Sequence, residues 1–197
     1  PILILRCMTS NAPDEKTEIA GVFAVFTQIA AINQAFPGAF GQAFISAGTH
    51  AWGSNNAKRV VRLFSWTLLF NFVLPALVSV VVISAKSTIA HSFLHDAKEI
   101  ELALKILPIP FYTAFLQGIN ITISMLMIVV GKPLFAFIPQ LLQMILLCAG
   151  CYIFAAVSKD NITNIMYVYN ISDLSVLFLY LIFIFIPIKE IKKKLND

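Results

Sequence analysis

The chain has 197 residues, of which 59% are hydrophobic and only 12% charged, with a formal net charge of +4. A soluble domain carries about twice that charged fraction, and a soluble fold of this length has too little interior to hide so much apolar surface. The balance excludes a soluble globular domain, offers no aromatic-plus-basic surface for nucleic acid, and points to a chain whose outward faces are solvated by a lipid bilayer.

Pro1 to Met8 reads as the stump of a helix whose body is missing, so the chain is expected to be a piece of something longer. Five long hydrophobic spans follow, each near the ~20 residues a helix needs to cross the bilayer core. The first, residues 19–47, is interrupted by Asn33, Gln34, Pro37, Gly38, Gly41 and Gln42. The second, 60–84, contains Pro75, and the third, 106–130, opens with Pro108 and Pro110. The fourth, 133–157, has Pro139 near its start, the fifth is 165–188, and residues 189–197 form a basic tail. Apolar runs this continuous exclude barrel strands, which show segments of about 10 residues with alternating polarity. The expected fold is an all-α integral membrane lobe of six helices: five complete spans plus the stump of a first.

Charge assigns the sides. Lys58, Arg59 and Arg62 in the first loop, Lys132 in the third, and Lys189, Lys192, Lys193 and Lys194 in the tail fall on one side, eight bases in all. Lys16, Lys86, Lys98, Lys105 and Lys159 fall on the other, with most of the acids. The base-rich side is expected to be cytoplasmic, and the C-terminus with it.

Polar residues inside the spans are the candidates for function. Thr113, Gln117, Asn120 and Ser124 recur at i, i+4, i+7 and i+11, which places them on one helix face. They form either the wall of a solute pathway or hydrogen-bonded glue between helices. Gln34 shares a face of the first span with Gly38 and Gly41 and carries the same two readings; a Gly/Pro-broken helix near mid-membrane also points to binding sites. Asp173 is the only acid deep in a span, with Asn170 and Tyr180 on its face. A lone intramembrane carboxylate is costly and suggests proton or cation binding. A later helix start would leave it at the outer interface instead.

Other features carry less. Cys148 and Cys151 form a C-x-x-C inside an apolar run, where packing suits them better than metal or redox work. His91, His95, Asp96 and Glu99 lie in an outer loop, and the histidine spacing alone is a weak metal signal. Asn161-Ile162-Thr163 is a glycosylation sequon on the expected outside; those at Asn120 and Asn170 lie within spans. Nothing resembles a P-loop, so the chain is read as a non-enzyme without cofactor or metal.

The stretch 36–59, FPGAFGQAFISAGTHAWGSNNAKR, is Pro/Gly-rich and ends in the turn Gly53-Ser54-Asn55-Asn56-Ala57-Lys58-Arg59; a second turn, Gly131-Lys132-Pro133, closes the third span. In order and spacing these resemble the multidrug and toxic compound extrusion (MATE) transporters, over about residues 19–133. The lysine-rich tail suggests the C-terminal half. The resemblance implies one lobe of a twelve-helix, multi-pass transporter, here expected in the plasma membrane, whose other half belongs to the same polypeptide. It implies H+- or Na+-coupled antiport that exports organic cations, drugs or toxins by alternating access. A lipid-linked saccharide flippase and a non-transporting membrane scaffold are the alternatives. Some members carry an acid in the helix matching the third span; here Gln117 and Asn120 are its strongest polar groups, which leaves the coupling ion open. The pathway residues expected are Gln34, Thr113, Gln117, Asn120, Ser124 and Asp173.

Overall fold

In the computed structural model, which describes residues 2–157 and 162–196, the Pro- and Gly-rich first span is one unbroken helix. A short helix α1 (Ile2–Asn11) and a 3-10 turn (Pro13–Glu15) lead into α2 (Lys16–Gly53), which runs straight through Pro37. Proline removes a single backbone N–H, that owed to the Asn33 carbonyl, and neighbouring helices let a membrane helix tolerate the loss. The glycines serve close packing rather than a break: Gly41 faces the Met125 thioether and Gly48 faces Val129.

A tight turn with Asn55 at φ 58° connects α2 to α3 (Ala57–Ser84). The Asn56 side chain caps α3 by accepting from the Arg59 N–H at 3.0 Å. Three short helices follow at the opposite end, α4 (Lys86–Phe93), α5 (Ala97–Ile106) and α6 (Pro108–Phe111), and then α7 (Ala114–Val129). The third hydrophobic span is therefore helical from Ala97 onward with a turn at Tyr112–Thr113. Lys132 leads to α8 (Pro133–Val157); a 3-10 segment (Ile162–Met166) precedes α9 (Tyr167–Phe183), and α10 (Phe185–Asn196) carries the basic tail. Among the described residues, five helical segments are long and apolar enough to cross a bilayer, and no strand is present.

α2, α3 and α7 pack as a trio, and α7, α8 and α9 form a second trio that shares α7. One apolar cluster gathers Ile4, Met8, Ile19, Phe23, Ile106 and Met166 at the end near α1 and α5. A second gathers Phe44, Ala51, Val60, Leu126 and Ile191 at the other end. Exposed faces differ in kind. Those of α3, α8 and α9 show Trp66, Leu77, Phe137, Ile145, Phe178 and similar side chains, as lipid contact requires. The exposed stripe of α2 shows Gln28, Ala31, Ala35, Gln42, Ser46 and Thr49 instead.

The three base-bearing regions meet at one end. Lys194 Nζ donates to the Trp52 carbonyl at 2.9 Å and sits 4.1 Å from the centre of the Trp52 ring. Lys132 pairs with Glu190 at 3.5 Å. At the opposite end, His91 and His95 are exposed in α4 and beyond it, and Asp96 caps α5 by accepting from the Lys98 N–H at 3.2 Å. Cys151 is fully buried, as packing requires, but Cys148 faces outward. Asn161, Lys159 and Asp160 lie outside the described residues.

An intramembrane carboxylate and the cavity beside it

Asp173 sits in the second turn of α9 and is 1% exposed. α7 and α8 close over it. The hydroxyl of Thr113, just before α7, lies 3.1 Å from Asn170 Oδ1 and 3.3 Å from Asp173 Oδ2, and its one proton is shared between these two acceptors. One turn on, Gln117 Nε2 donates to Asp173 Oδ1 at 3.3 Å. From α8, Gln143 Nε2 reaches the same oxygen at 3.0 Å. Asn120 Nδ2 donates to the Asp173 backbone carbonyl at 3.2 Å, and its own Oδ1 is buried without a partner among the described residues.

Helical repeat accounts for this geometry. The four-residue step from Thr113 to Gln117 and the three-residue step to Asn120 keep three polar groups on one stripe of α7, turned toward α9. Asn170 and Asp173 are spaced by three on α9 and meet that stripe. Ser124 lies at the far end of it, buried, where it neighbours the Tyr180 hydroxyl. Tyr180 donates to the Ala136 carbonyl at 3.1 Å and accepts from Gln140 Nε2 at 3.2 Å.

Gln34 on α2 completes the line, its Nε2 donating to Gln117 Oε1. The six residues expected from the sequence thus divide into one connected group, Gln34, Thr113, Gln117, Asn120 and Asp173, and one outlier, Ser124. Gln143 is the partner that hydropathy missed. Gln140 and Gln143 are the only amides in the apolar run of α8, three residues apart, and that spacing was the available signal.

The surrounding helices contribute no cation. α6, α7, α8 and α9 contain no Lys, Arg or His, and Asp173 is their only acid. The carboxylate is therefore held by neutral donors among the described residues. Such a group can take up a proton or a small cation without displacing a salt-bridge partner.

A cavity of about 300 Å³ lies between α2, the α6–α7 turn and α9. Its polar members include Gln34, Gln117, Asn33 and Tyr169; Phe26, Phe111 and Pro110 are among its apolar ones. Phe26 lies 6.1 Å from Phe111 and 5.5 Å from Tyr169, ring centre to ring centre. The Asn33 Oδ1 and the Tyr169 hydroxyl are both buried and have no partner among the described residues. Gln34 and Gln117 are thus both interhelical contacts and cavity wall. The volume lies at the small end of ligand pockets, which span about 300–1,000 Å³.

Comparison with known proteins places the chain. Neither a curated protein nor a solved structure matches it significantly. The MatE family model matches residues 3–153, well over half of the sequence and into α8, including Thr113, Gln117 and Gln143 but not Asp173 itself. Those helices, long and apolar enough to cross a bilayer, together with that match make the chain a multi-pass integral membrane protein of the MatE transporter family.

Proposed function

We propose that the chain forms one lobe of an ion-coupled antiporter that exports small organic cations, drugs or toxins by alternating access, with Asp173 as the coupling carboxylate for H+ or Na+. The observation that carries this reading is the buried Asp173, held by neutral donors among the described residues and joined through Gln117 to the wall of a cavity. A cationic solute and a coupling ion that compete for one negative charge exchange with each other, which is the requirement for antiport. The aromatic side chains of the cavity suit an amphipathic cation.

The polar, small-residue stripe on α2 supports a second lobe facing it. Lipid would be a poor solvent for Gln28, Gln42, Ser46 and Thr49, whereas a water-filled central route between two lobes suits them. In that arrangement the base-rich end with Lys58, Lys132 and Lys194 faces the cytoplasm of a plasma-membrane protein. The cavity favours this reading over a pure scaffold, in which the polar stripes would be consumed by helix packing. A saccharide flippase would need bases around its cavity; here they sit at the ends of the spans, and none is among the residues that line it.

The test is efflux from proteoliposomes holding the complete protein, driven by an imposed proton or sodium gradient. Asp173→Asn is expected to abolish gradient-driven efflux while leaving expression and monodispersity intact. Efflux with unchanged rate and unchanged pH and sodium dependence would remove Asp173 from the mechanism.

A further inference from the structure

α10 begins two residues after the spanning helix α9 ends, and its sides meet three different surroundings. Pro187 and Ile191 are buried against the end of the bundle, and Lys194 is held there by the Trp52 carbonyl and ring. Lys189, Lys192 and Lys193 are exposed, and steps of three and four residues put them on one helix face. Ile188 and Leu195 are exposed beside that face. An apolar edge next to a lysine face is the pattern of a helix that lies where lipid headgroups meet acyl chains.

α3 marks the same depth independently. Lys58, Arg62, Trp66 and Phe70 follow one another in steps of four, all of them exposed. Bases, then an indole, then an apolar ring is the order met on passing from headgroups into hydrocarbon. Lys58, at the outer end of this row, opens onto a polar cavity of about 300 Å³ that also takes in Ser54, Asn55, Asn56, Lys194 and Leu195. The cavity therefore lies at headgroup depth.

The charge of this cavity is uncompensated. At this end of the molecule Glu190 is the one acid among the described residues, and it pairs with Lys132. Neither Lys58 nor Lys194 has an acid partner among the described residues. The Asn56 side chain already accepts from the Arg59 N–H, so the start of α3 is capped and the two ammonium groups are what the cavity offers an anion. Lys194 uses one of its three N–H groups on the Trp52 carbonyl, which fixes its position and leaves two to donate.

We propose that the α2–α3 turn and α10 together bind an anionic phospholipid, with its phosphate between Lys58 and Lys194 and its acyl chains against the exposed apolar edge of α10. The apolar edge and the depth of the cavity select a lipid over a soluble phosphate. The unpaired lysines select a lipid of net negative charge, since each base near the surface attracts such a headgroup, whereas phosphatidylcholine carries its own compensating ammonium. The site stands apart from the antiport reading; neither requires the other.

Lipid adducts of the purified full chain, counted by native mass spectrometry in detergent with equimolar phosphatidylglycerol and phosphatidylcholine, test the site. The first phosphatidylglycerol adduct is expected to exceed the first phosphatidylcholine adduct by about twentyfold, about fivefold from each lysine. Lys58→Gln and Lys194→Gln are each expected to lower that ratio by about fivefold, and the double variant to bring it close to one. Lys86→Gln and Lys98→Gln, at the opposite end, are expected to leave it unchanged. Lys58 is exposed and holds no structural contact with α10, so its variant reports the site even if Lys194→Gln undocks the helix; thermal unfolding checks both. Equal adducts in the wild type overturn the proposal. So does a preference that survives the double variant, or one that Lys86→Gln and Lys98→Gln lower equally, which would make it a response to overall charge. Displacement of the lipid by an equimolar amount of glycerol 3-phosphate would assign the cavity to a soluble phosphate and overturn the lipid as its occupant.

Discussion

The backbone carbonyl of Asn71 occupies the space where Gly118 would carry a Cβ: an added carbon would lie 1.8 Å from that oxygen. Pro75, four residues on, removes the N–H that would have bonded this carbonyl, so it is free to lean onto α7. The Asn71 side chain fastens the same crossing, its Nδ2 donating to Thr122 Oγ1 at 2.9 Å. Thr122 in turn donates to the Gly118 carbonyl at 2.7 Å.

Gly118→Ala is therefore expected to push α3 from α7 and to destabilise the protein by about 1–3 kcal/mol. Backbone cannot swing aside as a side chain does. Gly38→Ala is the control, since nothing lies within 4 Å of its added carbon, and in a helix it is expected to be neutral or to stabilise by about 0.5–1 kcal/mol. Thermal unfolding of both variants in detergent checks the pair. Equal melting temperatures would contradict the close crossing.

Tyr180 is expected to be structural, in contrast to the role proposed for Asp173. Its hydroxyl joins Gln140 to the Ala136 carbonyl in the α8–α9 interface, and it has no contact with the carboxylate. Tyr180→Phe leaves the half-buried Gln140 amide without this partner and is expected to cost about 1–3 kcal/mol. The measurement is again thermal unfolding, paired with the ion dependence of efflux. Reduced stability with unchanged ion dependence is expected; a changed ion dependence would extend the functional cluster to Tyr180.

The fold class was legible because hydropathy is an average over ~20 residues, and lipid enforces it. Asp173 was legible because a lone charge stands out in an apolar run. The stripe Thr113–Gln117–Asn120 was legible because helical period is a local property. What was not legible is which helix the stripe faces. Gln143 looks like any glutamine in α8 until packing brings it to 3.0 Å from Asp173. The continuity of α2 through Pro37 was hidden for a related reason: local propensity marks a break, and the packing of Gly41 and Gly48 against α7 overrides it.

The contact of Lys194 with Trp52 offers a spectroscopic test of where the tail sits. An ammonium 4.1 Å from the ring centre should perturb indole emission. Lys194→Met is expected to change Trp52 fluorescence in a Trp66→Phe background. The stability change is expected to be about 0.5–1 kcal/mol, as for a cation–π contact at a partly exposed site. An unchanged spectrum would mean that α10 does not dock on the end of α2. The neighbouring pair Lys132–Glu190 is about 40% exposed at each side chain, so Lys132→Ala is expected to cost at most about 1 kcal/mol and to lose its effect in high salt.

The contrast between the exposed faces of α2 and α8 separates a water-filled route from lipid contact. Single cysteines are introduced at Ala35 and Ser46 on the α2 stripe and at Ile145 on α8, in a background lacking Cys7, Cys148 and Cys151. A membrane-impermeant maleimide reacts only with a thiol that water reaches and ionises. Ala35→Cys and Ser46→Cys are expected to label and Ile145→Cys to stay unlabelled, although all three positions are exposed in the isolated lobe. A bound cationic solute is expected to slow labelling at Ala35, which neighbours Gln34. Ser54→Cys at the base-rich end should label only from the cytoplasmic side, and Lys98→Cys only from the opposite one. Labelling at Ile145 equal to that at Ser46 would mean that the stripe does not line a route of its own, and reversed sidedness would turn the lobe over in the membrane without altering its internal geometry.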